Sequence, residues 1–338
     1  MMQKKTIRFS TAITHYYFDA SFAGLKELAD KKRTIVLTDE HVFAAHQKKL
    51  SRWNCIVIPA GESSKNQKTV DFVIQTLIEK GADRSTMLVG AGGGTISDLA
   101  GYIASIYLRG IAFGFVPTSL LAMVDASIGG KNGINVGLYK NMVGTLNHPQ
   151  FILFDRRFLD TLPQSEWQNG FAEIIKHAAI ANVTMFRELE QHDVSFYQKK
   201  TKETSALIRT NALLKTKVVV KDERETNLRR ILNFGHTLGH ALENLYDLSH
   251  GQAISIGMAY ASQLSASLMG FRDHDRLISL IEQYGLPVRM SFDKKRVLNI
   301  LSKDKKREQD KIRFILLERL GKAVVELLPI QKIADTIE

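Results

Sequence analysis

Short apolar runs alternate with amphipathic segments through the first half of the chain, and this alternation restricts the fold more than any other feature. Arg33–Thr38 (RTIVLT) predicts a buried strand, and Cys55–Ala60, Met87–Ala91, Ala112–Pro117 and Phe151–Asp155 predict four more. Between them, Val70–Lys80 and Asp98–Tyr107 space their apolar residues as helices do. A strand apolar on both faces must be covered on both faces. The pattern therefore implies βαβ units and a mostly parallel, Rossmann-like sheet. Such sheets take their ligands at the carboxyl ends of their strands.

Beyond residue 160 the pattern changes. Gln164–Leu189, Thr201–Asp222, Leu228–Tyr246, Ala253–Met269 and Arg276–Tyr284 are amphipathic helical stretches. Only Ile312–Leu317 and Ala323–Leu328 suggest a hairpin, turning near Gly321. The sequence thus predicts an α/β N-terminal domain over residues 1–160 and a mainly α-helical C-terminal domain over 161–338. A length of 338 residues suits two domains.

The charge balance narrows the function. Lys and Arg number 46 against 35 Asp and Glu, a net +11. A basic surface favours anionic small molecules. Nucleic acid is not expected as a partner, because no base-stacking aromatic cluster accompanies the charge. No apolar run of about 18 residues is present, so no membrane span is expected. Cys55 is the single cysteine, which suits a reducing, cytoplasmic setting. Met1–Ser10 lacks the apolar stretch of a signal peptide.

Three constellations carry chemistry. Gly90-Ala-Gly-Gly-Gly94 follows a predicted strand and precedes a helix, the setting in which backbone N–H groups meet a pyrophosphate. Read as G-x-G-x-x-G from Gly92, its third position is Ser97, so the fingerprint is incomplete. Asp39, past the first predicted strand, is placed either to accept a ribose hydroxyl or to cap a helix. Asp125–Gly144 interleaves glycines with Lys131, Lys140 and Asn141, with Arg109 upstream, a composition suited to anions. Finally, His236 and His240 lie four residues apart on one helical face, and His250 follows. A catalytic zinc site uses three N or O ligands. Glu173, in an otherwise apolar helical stretch, is the candidate carboxylate and needs a partner if buried.

These residues resemble the 3-dehydroquinate synthase family over nearly the full length. The match runs through GGGTISDLAG at 92–101, YLRG at 107–110, VPTSLLAMVDASIGGKNGIN at 116–135 and KNMVG at 140–144. It continues with FLDTLP at 158–163, AEIIK at 172–176, KDERETNLRRILNFGHTLGHALE at 221–243, HGQAISIGM at 250–258 and DKK at 304–306. The resemblance implies a dehydroquinate synthase-like fold and an NAD- and metal-dependent carbon–oxygen lyase of the shikimate pathway, a homodimer. Zinc, or cobalt, would be held by Glu173, His236 and His250, leaving His240 as a catalytic neighbour. NAD would lie against Asp39, Glu62, Lys65, Gly92, Gly93, Gly94, Thr95, Ile96, Ser97, Asp98, Thr118 and Ser119. Lys131, Lys140 and the segment Phe158, Leu159, Asp160 and Thr161 would complete its pocket. An anionic sugar-acid phosphate would be met by Arg109, Lys131, Asn141, Lys176, Lys215, Arg229, Asn233 and one of Lys305 or Lys306. Glu225 would orient other polar groups, and Asp125 would pair with a phosphate-binding cation or the nicotinamide end.

Four positions depart from the family pattern. Ser97 and Asn227 stand where glycine is usual, His177 where tyrosine is common, and Gln252 where a glutamate follows the histidine and glycine. Losing that glutamate's charge is expected to weaken the support of His250.

Overall fold

Seven strands form the sheet that the alternation calls for, in the spatial order Gln3–Arg8, Ile13–Phe18, Phe151–Leu153, Ala112–Pro117, Met87–Gly92, Thr34–Asp39 and Asn54–Ile58. The structure, a computed structural model, describes residues 2–137, 139–301, 307–308 and 311–336. In chain order the strands of its first part are β1 (Gln3–Arg8), β2 (Ile13–Phe18), β3 (Thr34–Asp39), β4 (Asn54–Ile58), β5 (Met87–Gly92), β6 (Ala112–Pro117), β7 (Lys131–Val136), β8 (Tyr139–Leu146) and β9 (Phe151–Leu153). The five expected strands are β3, β4, β5, β6 and β9, all paired in parallel. The first two strands were not anticipated. They pair antiparallel at one edge, with β1 exposed along most of its length. A strand that buries so little carries no apolar run to read.

β7 and β8 form a separate ribbon. It occupies most of the glycine-rich block whose form the sequence left open. The ribbon lies close to the helix Gly94–Ile106. A side chain at Gly101 would stand 1.9 Å from the Asn132 amide oxygen, so only glycine fits there.

The chain divides into two compact units. One comprises Met1–Glu166 and Thr201–Val220, the other Trp167–Lys200 and Lys221–Glu338. The helix Thr201–Lys221 was read with the C-terminal domain, yet nearly all of it groups with the first unit. Polar ties to that unit account for this. Thr216 Oγ1 donates to Tyr16 Oη at 3.1 Å, Arg209 donates to Gln3 at 2.8 Å, and Lys215 pairs with Asp125 at 2.8 Å.

Among the described residues the second unit is built of helices and a three-stranded sheet, in which Lys311–Arg319 pairs with Arg307–Glu308 and forms a hairpin with Lys322–Pro329. Gly321 makes the turn at φ +77°. Two stretches expected as continuous helices are broken. Asn182 interrupts the first by capping Val183–Leu189 with its side chain, leaving Gln164–Ala181 upstream. Gly235, left-handed at φ +79°, separates the 3₁₀ turn Leu228–Asn233 from the helix His236–Leu245.

The helices His236–Leu245 and His250–Met269 cross at glycines. A Cβ on Gly257 would lie 1.9 Å from the Gly235 carbonyl oxygen, and one on Gly239 would lie 2.9 Å from that of Ala253. Backbone meets backbone here, which fixes His236 relative to His250. Gly257→Ala is therefore expected to destabilise the protein by about 2–3 kcal/mol through overpacking. A denaturant melt would register the loss as a lower midpoint with an unchanged slope.

Candidate metal centre and anion sites

The helix Gln164–Ala181 is buried along almost its whole length, and Glu173 within it is 0% exposed. An unpartnered carboxylate in that position would cost several kcal/mol. Three cationic or potentially cationic groups meet it. Lys176, one turn on, forms an ion pair with its Oε2. His236 Nε2 lies 3.4 Å and His250 Nε2 3.2 Å from its Oε1. Glu173 thus has the partners its burial demands.

Both imidazoles turn the same nitrogen toward the carboxylate. His236 Nδ1 faces the Phe234 carbonyl oxygen at 3.1 Å, and His250 Nδ1 faces Glu243 at 3.5 Å. The two Nε2 atoms and the carboxylate all lie within 4.8 Å of one another. Two nitrogens and one oxygen are a donor set suited to zinc or another divalent metal with an open position. A tetrahedral ion with bonds of about 2.0–2.1 Å separates its ligand atoms by about 3.3 Å, close to the spacing seen. The residues fit the group.

The two histidines differ in proton affinity. Burial, followed by the charge of Lys176, holds His236 well below its usual range. Burial also pulls His250 down, but hydrogen bonds to Glu173 and Glu243 outweigh it and carry its pKa up to about 10. Two carboxylates thus favour the charged form of His250, whereas burial and Lys176 disfavour that of His236. His240 borders both rings, with centroids 5.0 Å from His236 and 6.5 Å from His250.

Sequence reading missed Asn169, which sets this geometry. It lies one turn before Glu173 on the same face. Its Oδ1 accepts from Ser249 Oγ at 2.7 Å and from the Gly251 amide at 3.1 Å, flanking His250 on both sides. Gly251 permits this approach, because a Cβ there would lie 2.6 Å from the Asn169 Cα. Gln252 is engaged at the start of its own helix. Its side chain accepts from the Ser249 amide at 3.0 Å and closes a capping box.

A second cluster in this unit surrounds Asp222. It accepts from the backbone amides of Thr226, Asn227 and Arg229 at 2.9, 2.7 and 3.0 Å. The loop so formed carries Glu225, left-handed at φ +59°, whose carboxylate accepts from Asn233 Nδ2. Arg229 is buried and donates to the Glu223 carbonyl at 2.6 Å. Asn227 has φ −146°, which requires no glycine. His177 is fully buried. Lys305 and Lys306 lie outside the described residues.

In the first unit the glycine-rich turn ends β5, and its helix begins at Gly94, earlier than expected. Gly92 has no room for a side chain, since a Cβ would lie 2.4 Å from Ile96 Cγ1. Ser97 is buried and donates to the Gly93 carbonyl at 3.2 Å, so this departure is absorbed inside the helix. Lys65 is buried, 2.5 Å from both Asp98 and Asn141. Glu62 accepts from Thr95 at 3.0 Å and Asn135 at 2.8 Å. Asn141 is left-handed at φ +54°, a conformation asparagine tolerates.

Asp39 is a helix cap, accepting from the Val42 amide at 2.9 Å. Ser119 plays a similar part, accepting from the Ala122 amide at 3.2 Å, and Thr118 is buried beside it. Asp125 ends a π-helical turn and pairs with Lys215 through both its carboxylate and its carbonyl, at 2.8 and 2.7 Å. Asp125 was expected to pair with Lys131, Lys176 or Arg109 or to meet the nicotinamide end; the π turn brings it to Lys215. Arg109 and Lys131 are exposed, and Lys140 is half-buried. Leu108 and Arg109 are left-handed, at φ 49° and 67°. Phe158 and Leu159 are buried, Asp160 and Thr161 exposed, with Thr161 Oγ1 2.9 Å from His46 Nε2.

Comparison with known proteins agrees with this description. A family model of the 3-dehydroquinate synthase N-terminal part matches residues 55–169, and one of its C-terminal part matches 170–307. The chain is 36% identical to a 3-dehydroquinate synthase of Thermoanaerobacter pseudethanolicus, covering 96% of each chain. It is 39% identical to one of Dictyoglomus thermophilum, covering 86% of this chain and 84% of that one. Among solved structures it resembles a 2-epi-5-epi-valiolone synthase of Streptomyces hygroscopicus subsp. jinggangensis 5008 with NAD+ and Zn2+ bound. The TM-score is 0.88 and the identity 25%, covering 98% of this chain and 96% of that one.

Two outcomes follow from the geometry. Glu173→Gln keeps the shape but not the charge, and metal analysis of the purified protein is expected to find at least about tenfold lower occupancy. Backbone hydrogen bonds outweigh desolvation and lower the Asp222 pKa to about 2. Its contribution to the loop is therefore complete above pH of about 4 and disappears as pH falls through 2. Asp222→Ala is expected to lose that contribution at neutral pH, measured as faster limited proteolysis within residues 222–230.

Proposed function

The chain belongs to the 3-dehydroquinate synthase family, and from that premise we propose that it converts 3-deoxy-D-arabino-heptulosonate 7-phosphate into 3-dehydroquinate and phosphate. The reaction comprises transient oxidation, phosphate elimination, re-reduction and intramolecular aldol closure. Bound NAD supplies the hydride acceptor and donor, and a bound divalent metal, proposed as zinc with cobalt as an alternative, polarises the reacting oxygens. The carrying observation is the convergence of Glu173, His236 and His250 around one buried carboxylate oxygen.

The remaining roles follow from charge and placement. His240, beside the two ligand histidines, is proposed to move protons at the reacting alcohol and ketone, since imidazole titrates near neutral pH. Lys176 is held against Glu173 and is assigned to the substrate phosphate, as are Lys131, Asn141 and Arg109. Arg229 and Asn233, fixed by the Asp222 and Glu225 loop, are assigned to the substrate carboxylate, as is Lys215. Holding both ends of the substrate restricts the conformations from which the ring closes.

Cofactor contacts are assigned to the glycine turn from Gly92 to Asp98, to Glu62, Lys65, Thr118 and Ser119, and to Asp39. Asp39 has one carboxylate oxygen engaged as the helix cap and another available for a ribose. Lys140 and Phe158 to Thr161 complete that proposal. A homodimer in the cytoplasm is part of the same reading. Among the described residues no helix is long and apolar enough to cross a membrane.

The test is phosphate release from the heptulosonate, with the carbocycle identified by mass spectrometry. Activity is expected to vanish on chelation and return with zinc or cobalt. No reduced nicotinamide should accumulate at steady state. Turnover of a hexose phosphate in place of the heptulosonate, or net reduction of NAD, would overturn the assignment. Arg229→Ala is expected to lower kcat/KM by about 10²-fold or more, as loss of a charged substrate contact does.

A further inference from the structure

The reading above leaves one buried acidic side chain in the metal region without a role. Glu243 lies on the helix His236–Leu245 and its side chain is only 8% exposed. Positions 236, 240 and 243 fall on one helical face, so Glu243 lies along the row that carries His236 and His240. Its Oε1 is 3.5 Å from His250 Nδ1, on the side of the ring opposite Nε2, which is 3.2 Å from Glu173.

His236 shows what this arrangement does. Its Nδ1 faces a backbone carbonyl while its Nε2 faces Glu173. His250 repeats the pattern, with the Glu243 carboxylate in place of the carbonyl. The glutamate common at position 252 in the family does not explain it, because Gln252 is turned back onto the Ser249 amide.

We propose that Glu243 is the positioning residue of His250, holding its proton on Nδ1 and so presenting Nε2 to a divalent cation. The proposal rests on the metal reading of Glu173, His236 and His250. An anion behind the ring fixes its tautomer and orientation and makes Nε2 a stronger donor. Glu243 also adds a second negative charge around the cation, which Gln252 does not supply.

The experiment uses full-length protein stripped of metal and titrated with Zn2+ and Co2+, with affinity read by chelator competition and coordination by the visible Co2+ spectrum. Glu243→Ala is expected to weaken Zn2+ binding about 10–100-fold and to alter the Co2+ spectrum. Glu243→Gln keeps an acceptor oxygen without the charge and should fall between Glu243→Ala and the parent. Gln252→Glu should match the parent. Parental affinity in Glu243→Ala, or an equal loss in Gln252→Glu, would overturn the proposal. Should Glu243→Ala not fold, parental affinity in Glu243→Gln would overturn it instead. Failure of the metal reading looks different: the parent and Glu173→Gln would then titrate alike, with no tight site in either.

Discussion

A carboxylate withdrawn completely from water organises the second unit. Glu173 sits in the buried stretch of the helix Gln164–Ala181, where its charge is tolerated only if positive groups come to it. Lys176 comes from the next turn of the same helix, and the two histidines from elements that must be brought close. Much of the surrounding architecture serves that approach. Asn169 ties the start of the helix His250–Met269, Gly251 gives it room, and Gly235 sets the start of the histidine helix. Remove the charge, and these devices hold together a pocket with nothing at its centre.

The first unit uses the same physics with the signs exchanged. Lys65 and Lys215 are buried ammonium groups, each held by an aspartate, Asp98 and Asp125. Each pair sits next to a departure from regular backbone. Asn141 is left-handed beside Lys65, and Asp125 lies in a π turn. Irregular backbone at such points aims polar groups that a regular helix or strand would turn elsewhere.

The fold was legible where burial imposes periodicity. β3, β5, β6 and β9 are buried on both faces and their apolar runs stand out from the flanking sequence, while β4, at the other edge, keeps an apolar run in which Ile56 and Ile58 are buried. β1 carries no such run, because its exposed edge position removes the pattern. The metal candidates were legible because few residue types ligate metals and two of them share a helical face. Spacing alone left His240 and His250 undistinguished, and it was the family resemblance that separated them. Asn169 and Glu243 were invisible for a different reason. Each acts on a histidine distant in sequence or beyond a helix end, and neither type is rare enough to draw notice. Gln252 is two residues from a proposed ligand, yet its side chain turns back onto the helix start, a local contact that its spacing does not reveal.

The glycine crossing of the two histidine helices has a mechanical consequence. With carbonyl oxygens packed against glycines, the spacing of the two backbones that carry His236 and His250 is set by backbone contact. That side of the cage behaves as a fixed jaw. In the proposed metal centre an ion of larger radius would have to be accommodated by movement of the Glu173 jaw, so discrimination by ionic size would reside in the carboxylate arm and its helix.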